Sequence, residues 1–311
     1  MKVSLNNAVF EVQCGATVLD VAKCIDSSLS QKATAGIVNG NVRDLRYKVN
    51  EEGSHIEILT FDSNIEGKKA YWLTAALILA HAVKRVFPTA KIANGLAIEN
   101  GFLYDFEVSN PFSVADKAKI EDEMRKIVKE RLSIEMISLS KAEAIKLMQE
   151  RDEPYKVELI EEIDEQEELS FYKQGDFIDL CKGPQLLSTG KVKAIKLLTT
   201  SSSYWKGDES NKRLQRIYGI AFPKASELEQ YMLLIEEAKK RDHRKLGREL
   251  ELFRFHETAP GMAYWLPNGW VLYNNLIDFW RAEHRKNGYL EFSAPQVNNS
   301  ELWKTSGHWD H

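Results

Sequence analysis

The segment Lys2-Val-Ser-Leu-Asn-Asn-Ala-Val-Phe-Glu-Val12 sets two short β-prone runs, Lys2 to Leu5 and Ala8 to Val12, on either side of an Asn-Asn pair. Asparagine tolerates positive φ at small cost, so Asn6-Asn7 predicts a tight hairpin. Thr17 can cap a short helix from Val18 to Ile25, with Val18, Val21 and Ala22 along one face. Gly36-Ile-Val38 then leads into Asn39-Gly40, a strong turn signal, and His55-Ile-Glu-Ile-Leu-Thr60 closes the segment as a strand.

Hairpin, helix, then further strands is the order of a β-grasp domain, predicted here over residues 1–62. Such folds commonly serve as binding modules, an analogy of fold alone. Residues 63–223 predict a larger α+β region. Ser113 with Asp116 forms a capping box before the stripe Ile120, Met124, Ile127 and Val128; Ser140 with Glu143 repeats it before Ala144, Ile145 and Met148. Strands are expected at Phe102 to Val108, Ser170 to Tyr172, Phe177 to Leu180 and Ala194 to Thr199. The predicted class is α+β, in several domains.

Composition narrows the function. With 311 residues the chain should hold about two domains. At 43% hydrophobic and 28% charged it reads as an ordinary soluble protein. A net charge of −4 excludes a global basic field, so any RNA contact must come from local patches. Cys14, Cys24 and Cys181 are widely spaced and form no CxxC pair, which suits a reducing cytosol. The start, Met-Lys-Val-Ser-Leu, has no apolar signal-peptide core. The run Ala70 to Val83 is too short to span a bilayer and holds His81, so it reads as a buried helix. These features predict a cytoplasmic protein with no membrane partner.

Over residues 224–247, Ser226 with Glu229 opens a predicted linker helix towards Leu246, stopped by Gly247. Its second half is basic, with Lys239, Lys240, Arg241, Arg244 and Lys245, which suits the helix dipole. That end reads as solvated, or as lying beside an RNA backbone. Over residues 248–311 aromatic residues crowd in. A helix from Gly269 to Lys286 is predicted to run into a strand over Gly288-Tyr-Leu-Glu-Phe-Ser-Ala-Pro295. So much apolar surface requires a partner.

Five ordered blocks carry a resemblance over essentially the whole chain: Tyr204-Trp-Lys-Gly-Asp208, Leu214-Gln-Arg-Ile-Tyr-Gly219, Arg241-Asp-His-Arg-Lys-Leu-Gly247, Ala259-Pro-Gly-Met262 and Ser306-Gly-His-Trp-Asp310. Together they resemble the bacterial threonyl-tRNA synthetase family. The resemblance implies a TGS domain over 1–62, an editing domain of the threonyl/alanyl type over 63–223, a linker helix over 224–247, and the start of a class II catalytic domain over 248–311. It makes 288–295 motif 1, with Gly288 and Pro295 at a homodimer interface. It implies tRNA-Thr as partner of the parent enzyme, with ATP, Mg and Zn as its cofactors. The motifs that hold them are expected beyond residue 311. No cofactor is therefore expected in this chain, no aminoacylation by it alone, and a separate chain could carry the missing half.

In this family the editing centre pairs an HxxxH on a helix with a distant CxxxH. Registering His81-Ala-Val-Lys-Arg-Val-Phe-Pro88 against that pattern puts Leu73 and Leu77 at the histidine positions, and Cys181-Lys-Gly-Pro-Gln185 puts Gln185 at the last. Leucine has neither lone pair nor titratable proton, and glutamine cannot take a proton near neutral pH. Cys181 alone is no zinc site and reads as a small buried residue. The two leucines would fill a disused pocket. The expectation is a degenerate editing site with no catalytic residue and no metal.

His81, Tyr104 and Asp105 are the candidate pocket neighbours; a core histidine, a strand-edge tyrosine and a capping aspartate are their structural readings. Tyr204-Trp205-Lys206 sets aromatics beside a cation, to stack on a nucleotide or simply to be buried. Gly95, Gly101 and Gly207 form no nucleotide-binding loop. The alternatives to a synthetase portion are a noncatalytic tRNA-binding or regulatory module, and one half of a split synthetase.

Overall fold

The computed structural model describes residues 2–5, 8–164, 169–295 and 297–310. It divides into two compact units, Met1–Tyr231 and Met232–His311.

In the first unit, β1 (Lys2–Leu5) and β2 (Ala8–Glu11) pair antiparallel with Leu5 opposite Ala8. The Asn6-Asn7 turn lies outside the described residues. Helix α1 (Val18–Ile25) opens on a capping box, Thr17 accepting from the Asp20 amide while Asp20 accepts from Thr17, and it buries Val18, Val21 and Ala22 as its spacing predicts. A short α2 (Ser27–Lys32) precedes a sheet of order β4-β3-β5, from β3 (Ala33–Val38), β4 (Asn41–Arg43) and β5 (Ile56–Thr60). Between β3 and β4, Asn39 and Gly40 both take positive φ, 50° and 81°, the pair of values a two-residue hairpin turn needs.

The larger part is built on α3 (Ile65–Val86), whose buried positions run almost unbroken from Ala70 to Val83. It packs against α4 (Val114–Glu130) and on a four-stranded sheet of order β11-β12-β7-β6. These strands are β6 (Lys91–Ile98), β7 (Gly101–Glu107), β11 (Ala194–Tyr204) and β12 (Arg213–Phe222). A second sheet, β10-β9-β8, joins β8 (Ile134–Leu139), β9 (Leu169–Gln174) and β10 (Phe177–Leu180), with α5 (Lys141–Glu150) and α6 (Pro154–Glu161) in the same region. All these strand pairs are antiparallel, giving an α+β architecture. Both predicted capping boxes form, Ser113 with Asp116 and Ser140 with Glu143. Strands β6, β8 and β12 were not expected. In β6 the pair Asn94-Gly95 carries turn chemistry, yet Gly95 is needed in the strand. A Cβ there would come within 2.5 Å of the Tyr104 ring.

Helix α7 (Ala225–Lys240) corrects one expectation. It ends six residues short of Leu246, Ser226 lies inside it, and the chain restarts as α8 (His243–Glu249). Asp242 causes the restart, its carboxylate accepting from the Arg244 amide at 2.8 Å. Gly247 is no stop but sits within α8, where a Cβ would strike the Phe253 ring.

In the second unit, β13 (Phe253–Phe255) and β14 (Ala263–Trp265) form a hairpin before α9 (Pro267–Lys286), with proline in its first turn. The strand expected over 288–295 is absent. No described residue supplies the ladder hydrogen bonds a strand requires, and Leu290 and Phe292 are 94% and 86% exposed. Helix α9 leaves Trp270, Leu276, Phe279 and Trp280 exposed. A last helix, α10, covers Ser300–Thr305. Among the described residues no helix is long and apolar enough to cross a membrane.

Candidate functional site

Helical spacing sets Leu73, Leu77 and His81 on one face of α3. Leu77 is buried in the main core. Leu73 is half-buried and projects onto the loop after β10. Its Cδ1 lies 2.7 Å from where a Cβ on Gly183 would stand, so it occupies the notch that a glycine leaves. Thr74, next along the helix, accepts from the Leu186 amide at 2.9 Å. The helix therefore grips the 181–186 loop with apolar volume and one hydroxyl.

Within that loop Gln185 is fully buried, and its Nε2 donates to Cys181 Sγ at 2.9 Å. Burial, with the nearby Asp179 charge, pushes the Cys181 thiol up to about 12, so at neutral pH it is protonated and a poor nucleophile. Leu73, Cys181 and Gln185 thus meet at one loop while Leu77 lies in the main core, and none of the four side chains is a proton acceptor suited to hydrolysis.

The strand side differs. Tyr104 on β7 donates to Asp179 Oδ2 at 2.5 Å, and Lys156 of α6 stands 2.7 Å from Asp179 Oδ1, its ammonium 5.4 Å from the Tyr104 ring centroid. All three are essentially inaccessible. Burial and the Asp179 carboxylate drive the Tyr104 hydroxyl well above its ordinary pKa, keeping it protonated as the donor to Asp179. Sequence reading found Tyr104 but missed Lys156 and Asp179. The available signal was a lone carboxylate inside the apolar run Phe177-Ile-Asp-Leu180.

Asp105 points to the opposite face of β7 and leaves this cluster. It takes a two-pronged ion pair from Arg216 at 2.7 and 2.8 Å, so it is neither a capping residue nor a neighbour of Cys181. His81 is a core histidine, stacked on Phe177 at 5.1 Å with Nε2 accepting from Arg85 at 3.0 Å. Burial, then the Arg85 charge, lowers its pKa to about 4 and keeps it neutral.

A second group that sequence reading missed reaches the same loop from the β-grasp part. Asp44 accepts from the Gln185 amide and the Tyr172 hydroxyl, each at 3.1 Å. Arg46 pairs with Asp44 at 2.8 Å and donates to the carbonyls of Gln185, Leu186 and Ile134. Charged donors on carbonyls are the stronger hydrogen bonds, so this pair fixes both main-chain groups of Gln185.

Of the expected RNA-facing cations, Lys206 is tied to Glu158 and Glu162, and Trp205 is buried against Tyr155. Lys240 and Arg241 pair with Glu237, Arg244 with Asp242 and Lys245 with Glu249. Lys239 has no such pairing among the described residues. No group of three or more His, Cys, Asp and Glu among the described residues could hold a metal ion.

Two family models match this chain, the TGS domain over residues 3–60 and the threonyl and alanyl tRNA synthetase second additional domain over residues 169–218. A threonine–tRNA ligase of Caldanaerobacter subterraneus subsp. tengcongensis is 57% identical over 301 residues, covering 97% of this chain and 46% of that protein. The threonine–tRNA ligase of Acetivibrio thermocellus is 54% identical over 312 residues, 100% of this chain and 49% of its own length. That of Clostridium tetani is 54% identical over 303 residues, with 97% and 47% covered. The chain spans about half the length of these curated relatives. It belongs, as an N-terminal portion, to the threonyl-tRNA synthetase family.

Proposed function

We propose that this chain is the accessory half of a cytosolic enzyme that joins threonine to tRNA-Thr with ATP, and that its editing centre no longer hydrolyses mischarged tRNA. The likeness to threonine–tRNA ligases supports the first part. The second rests on one observation: the helix positions that would hold imidazoles are Leu73 and Leu77, with Leu73 seated against Gly183. Leucine can neither activate water nor bind a metal. The protonated Cys181 and the amide of Gln185 do not replace that chemistry. Lys156, Asp179 and Tyr104 then act as scaffold, holding the loop in a shape that a substrate would once have met.

ATP, Mg and Zn are expected for the whole enzyme. Among the described residues no group of three or more His, Cys, Asp and Glu is placed to hold either metal. The apolar face of α9 with residues 288–295 is proposed to self-associate, which sedimentation would read as a dimer. For editing, the deciding experiment is deacylation of seryl-tRNA by the 311-residue chain. No hydrolysis above the spontaneous rate is expected; turnover abolished by Cys181→Ala would overturn the reading.

A further inference from the structure

The first unit also holds a cavity of about 560 Å³, bounded by the α2–β3 junction, the end of β5 and the segment from Leu186 to Lys193. Its lining carries five cations, Lys32, Arg131, Lys191, Lys193 and Lys224, against one carboxylate, Asp62. Lys224 is paired with Glu227 at 2.8 Å. The other four make no ion pair among the described residues. The Lys191 ammonium donates to the Gln31 carbonyl at 2.9 Å, and that of Lys193 to the Gly190 carbonyl at 2.8 Å. Both positive charges thus rest on neutral oxygens. Burial and the neighbouring Lys193 lower the pKa of Lys191 below the ordinary lysine value. Arg131 is held beside them: it is the left-handed cap of α4, φ 52°, and its Cγ lies 2.7 Å from a Cβ built on Gly190.

Like charges gathered in one concavity repel, and the one lining carboxylate, Asp62, does not answer them all. A bound anion would. We propose that this cavity binds a small polyphosphate-bearing anion, cross-tying residues 31–62 to residues 131–193. Its volume suits a compact ligand, since small-molecule sites span roughly 300–1,000 Å³. Ala33, Phe61 and Leu186 add apolar wall. A nucleic-acid duplex is a poorer occupant. Its backbone is convex and runs past a surface, whereas Lys191 is half-buried within the hollow.

The test is calorimetric titration of the 311-residue chain with tripolyphosphate, with ADP and with a short RNA duplex as separate probes. One molecule of tripolyphosphate or ADP should bind per chain. ADP binding more tightly than tripolyphosphate would identify a nucleotide as the occupant; equal affinity would place recognition wholly in the phosphates. Lys191→Ala and Lys193→Ala should each weaken binding about tenfold, the worth of one charge-assisted hydrogen bond. Exposed Lys32→Glu, which cannot disturb the core, should weaken it too, whereas the charge-conserving double variant Lys191→Arg with Lys193→Arg should retain it. Three results would each overturn the proposal: no binding of either small anion, binding of the RNA duplex alone, or a loss no larger than Lys239→Ala with Lys240→Ala produces.

Discussion

The two sides of the Cys181 loop have opposite characters. On the helix side, α3 offers Leu73 and Leu77, packed as volume. On the strand side, Tyr104, Lys156 and Asp179 keep a fully buried ionic and hydrogen-bonded cluster, at a desolvation cost that only mutual pairing offsets. On the proposed reading the loop lost the groups able to move protons while the groups that shape it stayed, because removing one member of a buried pair strands its partner. The leucines carry no such penalty.

The largest test of this contrast is Asp179→Ala. It leaves the Lys156 ammonium buried without a counter-charge, so a loss of about 3–5 kcal/mol is expected in denaturant unfolding. A loss below about 1 kcal/mol would place the cluster among exposed ion pairs and erase the difference between the two sides.

His81 gives the next effect, read through pH. Its pKa is about 4 in the folded chain against 6.5 as the ordinary value, lowered by burial first and by Arg85 second, while Asp176 and Glu130 pull the other way. Below pH 6.5 the unfolded chain binds the proton and the folded chain does not. Stability from this group is therefore full above pH 6.5, falls as pH drops, and is gone below about pH 4. The whole step is about 3 kcal/mol. Urea midpoints between pH 7 and 4 should show it, and His81→Gln should flatten the profile.

Arg46→Ala asks whether the loop is held from the β-grasp part as well. Asp44 would keep Tyr172 and the Gln185 amide but lose its cation, and three carbonyls would lose a donor. A cost of about 2 kcal/mol is expected, with faster amide exchange from Gln185 to Leu187. Exchange unchanged there would mean that Thr74 and the strand cluster suffice.

Sequence reading reached the elements whose signals are local. Thr17, Ser113 and Ser140 cap the helices they announce, and Asn39-Gly40 turns the hairpin it promises. It failed where a distant contact decides. Gly95 belongs to a strand because the Tyr104 ring needs its missing side chain. Residues 288–295 read as a strand from their composition, yet a strand exists only beside another, and no described residue lies there to pair with it. At the loop, Leu73 was legible as apolar volume and Cys181 as a half-buried thiol, with Gln185 beside it. Lys156, Asp179, Asp44 and Arg46 were not, since their meaning lies in contacts between distant segments, Lys156 with Asp179 and Asp44 with Gln185, the latter 141 residues apart.

The smallest effect probes the helix side directly. Leu73 is only half-buried, so Leu73→Ala should cost about 1 kcal/mol, less than a fully buried leucine would. Gly183→Ala should cost a similar amount, about 1 kcal/mol, because its new methyl would stand against Leu73 Cδ1. Combined, the two should cost less than their sum, for the alanine at 183 grows into space that the shortened side chain vacates. Additive losses would mean that Leu73 does not fill the glycine notch, and that water could reach the loop from the helix side. Packing by Leu73 would then not be what closes the loop on that side.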